Sequence, residues 1–73
     1  MSEGMTGMSI IVNGERQAVQ ARTLAALLDE KGVEGGRGVA VAVNGSVVPR
    51  SAWPQTDLSA GDEVEIVQAR QGG

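Results

Sequence analysis

The sequence predicts an α+β fold in which a single helix lies across one mixed sheet. Three observations point to it. Asn13-Gly14 and Asn44-Gly45 each follow a β-branched run, and Asn-Gly is the pair that a type I′ hairpin turn demands, because both central positions need positive φ. Leu24, Leu27 and Leu28 fall at i, i+3 and i+4, one apolar stripe of a short helix. Val39–Val43 alternates Val with Ala, and Glu63–Gln68 alternates charged or polar with apolar residues. That period of two sends successive side chains to opposite faces of a strand.

In chain order, Met1–Gly7 is small, polar and aperiodic, and reads as a disordered leader. Ordered structure is expected over 8–69. Ile10-Ile11-Val12 forms a first strand and turns at Asn13-Gly14 into a return strand from Glu15 to Gln20, with Val19 inward. Thr23 occupies an N-cap position, where its hydroxyl can accept from the first free N–H groups of a helix over Leu24 to Lys31. Lys31 then suits the negative end of the helix dipole, with Gly32 at C′. Gly35-Gly36-Arg37-Gly38 is a flexible connector into the Val39–Val43 strand. Val47-Val48 makes a short edge strand before Pro49. A single helical turn over Ser51 to Gln55, capped by Ser51, precedes the turn at Ala60-Gly61-Asp62 and the last strand. The helix stripe is expected to face Ile10, Val12, Val41, Val43, Val64 and Ile66. The N-terminal hairpin and the C-terminal strand share the middle of the sheet in this reading. Residues 70–73 form a flexible tail.

Composition removes many functions. The chain has 73 residues, enough for one small domain. It has no Cys and no His, so disulfides, the usual zinc, haem and iron–sulfur ligation, and Ser–His or Cys–His nucleophile pairs are all absent. A free-standing enzyme is a poor fit. With 6 basic and 9 acidic residues and one aromatic, Trp53, it lacks the basic face and stacking aromatics of a nucleic-acid binder. No apolar run approaches the ~20 residues that span a bilayer, and no signal-peptide segment follows the start. The expectation is a soluble cytoplasmic protein.

Four features invite a chemical reading. The glycines from Gly32 to Gly38 lack the Gly-Lys-Ser/Thr of a phosphate loop and lead from helix to strand, the wrong order for one, so they read as a connector. Asp57, Asp62, Glu63 and Glu65 do not match a calcium loop. Glu63 and Glu65 read as a solvated outer edge, with a docking patch for a basic partner as the alternative. Trp53, between Pro49 and Pro54, reads as core. The fourth feature is the ending Gly72-Gly73. With glycine at roughly 7% of residues, chance gives such an ending about once in two hundred chains. Two glycines are thin and flexible enough to thread a narrow channel in another protein. Nothing in this chain activates the carboxylate at the tip, so another protein must, with ATP forming an acyl adenylate and a sulfur or nitrogen nucleophile displacing AMP.

From Met8 onward the sequence resembles the ThiS family, the sulfur carrier proteins of thiazole formation in thiamine biosynthesis. The residues that carry the resemblance are Met8–Glu15 at the start, Thr23–Leu28 in the helix, and Val41–Asn44 in the third strand. Val48-Pro49-Arg50-Ser51-Ala52-Trp53, Leu58–Ile66 and terminal Gly72-Gly73 complete it, and Val-Pro-Arg-x-x-Trp is its most specific element. Gln71 stands where the family often has a small apolar residue, and Arg70 adds a charge to the tail.

The resemblance implies a ubiquitin-like β-grasp fold, a mixed sheet of four to five strands with one main helix packed on one face. It further implies that a ubiquitin-activating-type adenylyltransferase, using ATP and magnesium, adenylates Gly73. Sulfur originating in cysteine, through a cysteine desulfurase persulfide, then makes the thiocarboxylate, which thiazole synthase consumes. This chain would bind no cofactor and supply no catalytic group, with Gly73 the modified position and Gly72, Gln71 and Arg70 its tail. On the sheet face away from the helix, Ile11, Ala40, Ala42 and Val67 are expected to form an apolar partner surface. Alternatives are the small subunit of molybdopterin synthase, a carrier for tRNA thiolation or cysteine synthesis, a protein-conjugating modifier, and a plain interaction module.

Overall fold

The computed structural model describes residues 7–33 and 38–68. The elements run β1 (Met8–Val12), β2 (Glu15–Val19), α1 (Leu24–Glu30), β3 (Val39–Val43), β4 (Ser46–Val48), a 3₁₀ segment (Arg50–Gln55) and β5 (Glu63–Gln68). The strands form a five-stranded sheet in the order β2-β1-β5-β3-β4. β5 runs parallel to β1 and antiparallel to β3, so the sheet is mixed. One main helix crosses one face, and the α+β expectation holds.

Both hairpins turn as their residues require. Asn13 and Gly14 take φ of 51° and 85°, and Asn44 and Gly45 take 52° and 86°, the pair of positive values that defines the type I′ turn. Thr23 caps the helix as expected, its Oγ1 accepting from the Ala26 N–H at 3.2 Å.

Each departure has a physical cause. β2 stops at Val19, one residue early, because the Gln20 and Ala21 N–H groups donate to the Glu30 carboxylate instead of to a strand. The same carboxylate thereby fastens the last turn of α1 to the end of β2. The helix ends at Glu30, and Lys31 is its C-cap at φ −88°, ψ 0°, with its Nζ donating to Gln17 Oε1. Ser51 does not cap the 3₁₀ segment. Pro49 does so without any side-chain bond, its φ of −64° already suited to the turn, and the Ala52 N–H closes onto the Pro49 carbonyl at 2.8 Å. The hairpin only half enters the middle of the sheet: β1 flanks central β5, while β2 is an edge strand. Gly7, assigned to the leader by its composition, lies against β2, where a Cβ would stand 2.8 Å from the Val19 carbonyl oxygen. Residues 1–6 of the leader, 34–37 of the glycine connector and 69–73 of the tail lie outside the described residues.

The core sits between sheet and helix. Ile10, Val12, Val41 and Val64 from the sheet are buried with Leu24, Leu27 and Leu28, and Val43 and Ile66 are half-buried at its margin. Trp53 is 5% exposed, and its indole N–H donates to the Val48 carbonyl at 2.9 Å. The single aromatic therefore packs in the core and also ties the 3₁₀ segment to edge strand β4. Trp53→Phe keeps most of the apolar contact but leaves that carbonyl without its donor, and is expected to cost about 1–3 kcal/mol. Urea denaturation followed by far-UV circular dichroism measures it; an unchanged midpoint would mean water replaces the indole.

Candidate functional site

β5 is the last described element before residues 69–73, and it is paired with a strand on each side. β5 pairs with β3 from Val43↔Val64 to Val39↔Gln68. Its parallel ladder with β1 covers only Ile11↔Glu63 and Val12↔Val64. Beyond that, the chain of β1 turns away, and the Asn13 side chain takes over. Its Oδ1 accepts from the Ile66 N–H at 2.8 Å and its Nδ2 donates to the Ile66 carbonyl at 3.3 Å. An amide side chain thus stands in for the next residue of the missing strand.

Asn44 does the same at the other end of β5. Its Oδ1 accepts from the Glu63 N–H at 3.0 Å, and its Nδ2 donates to Asp62 Oδ1 at 3.1 Å. Asp62 uses its other oxygen to accept from the Ser59 N–H at 2.8 Å, closing the turn before β5. Sequence reading assigned both asparagines to turn geometry alone. Their second role depends on which strand lies beside each turn, which no local pattern reveals.

The sheet face opposite α1 follows from the register. Core residues Ile10, Val12, Val41 and Val64 point to the helix, so Ile11, Ala40, Ala42 and Val67 point away, as expected from alternation. Ala40 lies opposite Val67, and Ala42 opposite Glu65. On the far side, Ala42 lies opposite Val47. Val47 is 75% exposed and Val67 61%, and with Ala40, Ala42 and Glu65 they line a shallow groove of about 190 Å³. Val47 was missed because its face depends on the β3–β4 register.

Ile11 does not join this group. It lies opposite Glu63, in a separate hollow with Gly14, Gly45 and Glu65. Glu65 borders both hollows. The glutamates are not on an outer edge, since β5 is the central strand; they form an acidic row down the middle of the open face. Among the described residues, no three acidic side chains gather closely enough to hold a metal ion, and no helix is long and apolar enough to cross a membrane. Arg70, Gln71, Gly72 and Gly73 lie outside the described residues.

Comparison with known proteins returns one consistent family. The model of the ThiS family matches residues 8–73. A sulfur carrier protein ThiS from Thermus thermophilus is 40% identical over 62 residues, covering 85% of this chain and 95% of that protein. A thiazole synthase from Paramagnetospirillum magneticum is 42% identical over 67 residues, 90% of this chain, but this chain spans only 20% of its length. The crystal structure of a thiamine biosynthesis protein (ThiS) from Geobacter metallireducens superposes with a TM-score of 0.76 at 32% identity, covering 90% of this chain and all of that one. Its solution structure gives 0.75. The shared architecture is the ubiquitin-like one the resemblance implied. A family match through Gly73 and a full-length structural match at this identity lead to one conclusion: the chain belongs to the ThiS family.

Proposed function

We propose that this chain is the sulfur carrier for thiazole formation in thiamine biosynthesis, with the Gly73 carboxyl group as the atom set that carries the sulfur. The observation that carries the reading is the ThiS family match running through Gly73, on a chain with no Cys or His of its own. Since a carboxylate is a poor acyl donor, an adenylyltransferase using ATP and magnesium forms the acyl adenylate and releases pyrophosphate. The terminal sulfur of a desulfurase-derived persulfide, originating in cysteine, then displaces AMP to give an acyl disulfide, and a partner thiol cleaves its S–S bond, releasing the Gly73 thiocarboxylate and leaving a disulfide behind. The thiocarboxylate passes to thiazole synthase, so the chain is a co-substrate in the cytoplasm and its partners are the catalysts. The match to about a fifth of a thiazole synthase supports that partner: in the Paramagnetospirillum protein a stretch like this chain lies in one polypeptide with the synthase.

The missing cysteines make the test clean. Co-expressed with its activating and desulfurase partners and treated with a thiol-selective alkylator, the chain should carry label at Gly73 when read by tandem mass spectrometry. Intact mass would not discriminate, because exchanging oxygen for sulfur nearly matches methionine oxidation. Absence of label, with Gly73 joined instead to lysines of other proteins, would make the chain a conjugating modifier.

The open sheet face is the docking surface in this reading. Its apolar element is Ala40, Ala42, Val47 and Val67, bordered by the acidic row of Glu63 and Glu65. Ala42→Glu puts a second carboxylate opposite Glu65, a like-charge pair that costs up to about 1 kcal/mol of stability. Binding to the activating partner is expected to fall by a much larger factor, about tenfold or more, since a charge enters the apolar patch. Calorimetric titration beside a denaturation midpoint separates the two, and unchanged affinity would remove this face from the interface.

A further inference from the structure

The two Asn-Gly turns have a chemical consequence apart from sulfur transfer. Asn-Gly is the dipeptide in which an asparagine amide is most exposed to attack by the next backbone nitrogen, since glycine has no Cβ to obstruct the approach. The Gly14 nitrogen attacks the Asn13 side-chain carbon, a C–N bond forms, the Cγ–Nδ2 bond breaks, and the displaced nitrogen leaves with the proton as ammonia. Water then opens the cyclic imide at either carbonyl, giving aspartate or isoaspartate. The sequence neither oxidises nor reduces anything, and water is its only co-reactant. Asn44 and Gly45 can follow the same course.

In the folded chain both side-chain amides are engaged in hydrogen bonds. Attack requires the asparagine side chain to swing its carbon over the following nitrogen. For Asn13 that breaks two bonds to Ile66, to its N–H at 2.8 Å and its carbonyl at 3.3 Å. For Asn44 it breaks one to the Glu63 N–H at 3.0 Å and one to Asp62 at 3.1 Å. The products also fit badly. Aspartate at 13 turns a carboxylate oxygen toward the Ile66 carbonyl in place of a donor, and aspartate at 44 sets one carboxylate against that of Asp62. An isoaspartate adds a backbone carbon inside a two-residue turn whose φ pair sets hairpin register.

We propose that Asn13 and Asn44 are spontaneous deamidation sites guarded by the fold, so that each excursion to the unfolded state risks a covalent change that hinders refolding. Modification then drains the unfolded population by mass action and retires the chain irreversibly. If reaction runs only through the unfolded state, the native rate falls by the inverse of the unfolded fraction, about 10³-fold or more for a stably folded small domain.

The test incubates the full chain at mildly alkaline pH with and without guanidinium chloride. Acid formation at each asparagine is located by tandem mass spectrometry, and isoaspartate by an isoaspartyl-specific methyltransferase. Conversion at both residues should be at least about a hundredfold slower in the native chain than in denaturant. The core variant Leu27→Ala, in native buffer, should convert faster than the unsubstituted chain at both positions by the same factor, since one unfolding step gates both. The mimics Asn13→Asp and Asn44→Asp should each lower the denaturation midpoint, and a mimic as stable as the parent overturns the claim that the product refolds poorly. Protection of less than about a hundredfold at either asparagine overturns the guarding role for that residue.

Discussion

Deleting Gly72 and Gly73 is expected to abolish alkylator labelling altogether while leaving the unfolding midpoint within about 0.5 kcal/mol of the parent. The two effects separate because they belong to different parts of the chain. Among the described residues the pairing of β5 ends at Val39↔Gln68, so the deletion removes no described rung of the sheet and no described core residue. The proposed chemistry, by contrast, sits entirely on the terminal carboxyl. Truncation leaves a carboxylate at the end of Gln71, but one flanked by long side chains that a channel shaped for glycine excludes. Gly72→Val is the finer version: it keeps Gly73 and its carboxyl and changes only the width of the tail, and labelling should fall by about tenfold or more, through the chemical step more than through binding, if the activating site grips the tail closely. A truncated chain that still labels would place the sulfur elsewhere, and a destabilised one would show that the tail packs on the domain.

Much of this fold was legible before any coordinates, and the reason differs by element. The helix announced itself through Leu24, Leu27 and Leu28 and through the Thr23 hydroxyl, all local signals that the structure bears out. The hairpins were legible because Asn and Gly tolerate the positive φ that both central positions of a type I′ turn require. What could not be read was anything set by pairing at long range. The position of β5 between β1 and β3 turns Glu63 and Glu65 from an edge feature into the midline of the open face. That same position separates Ile11 from Ala40, Ala42 and Val67, and the β3–β4 register adds Val47 to them. The stop of β2 at Val19 depends on Glu30, ten residues after Gln20 in the chain. The proposed reactive end was the reverse case: the reading of Gly72-Gly73 rests on composition, and the family match extends through it.

Leu27→Ala is the largest stability change expected from a single side chain. Leu27 is fully buried, at 0% exposure, where α1 meets Ile10, Val41 and Val64 of the sheet. Alanine is the best helix former, so the helix itself loses nothing, and its Thr23–Ala26 cap is untouched. The whole cost is packing: the transfer free energy of the missing carbons plus the space they leave, about 2–5 kcal/mol. A chain of this length has roughly 4–11 kcal/mol of total stability, so the substitution removes a large part of it and can leave a measurable unfolded fraction. Trp53 is the only tryptophan and is buried against the same core, so its fluorescence follows guanidinium unfolding without any added probe. Leu27→Met, nearly equal in volume, should lose less than about 1.5 kcal/mol. Because the proposed sulfur loading acts on Gly73 and not on the described core, Leu27→Ala should reduce labelling only as far as it reduces the folded fraction. A loss of less than about 1 kcal/mol would mean that the helix is not held against the sheet by this residue, since no buried leucine with a filled surrounding yields so little.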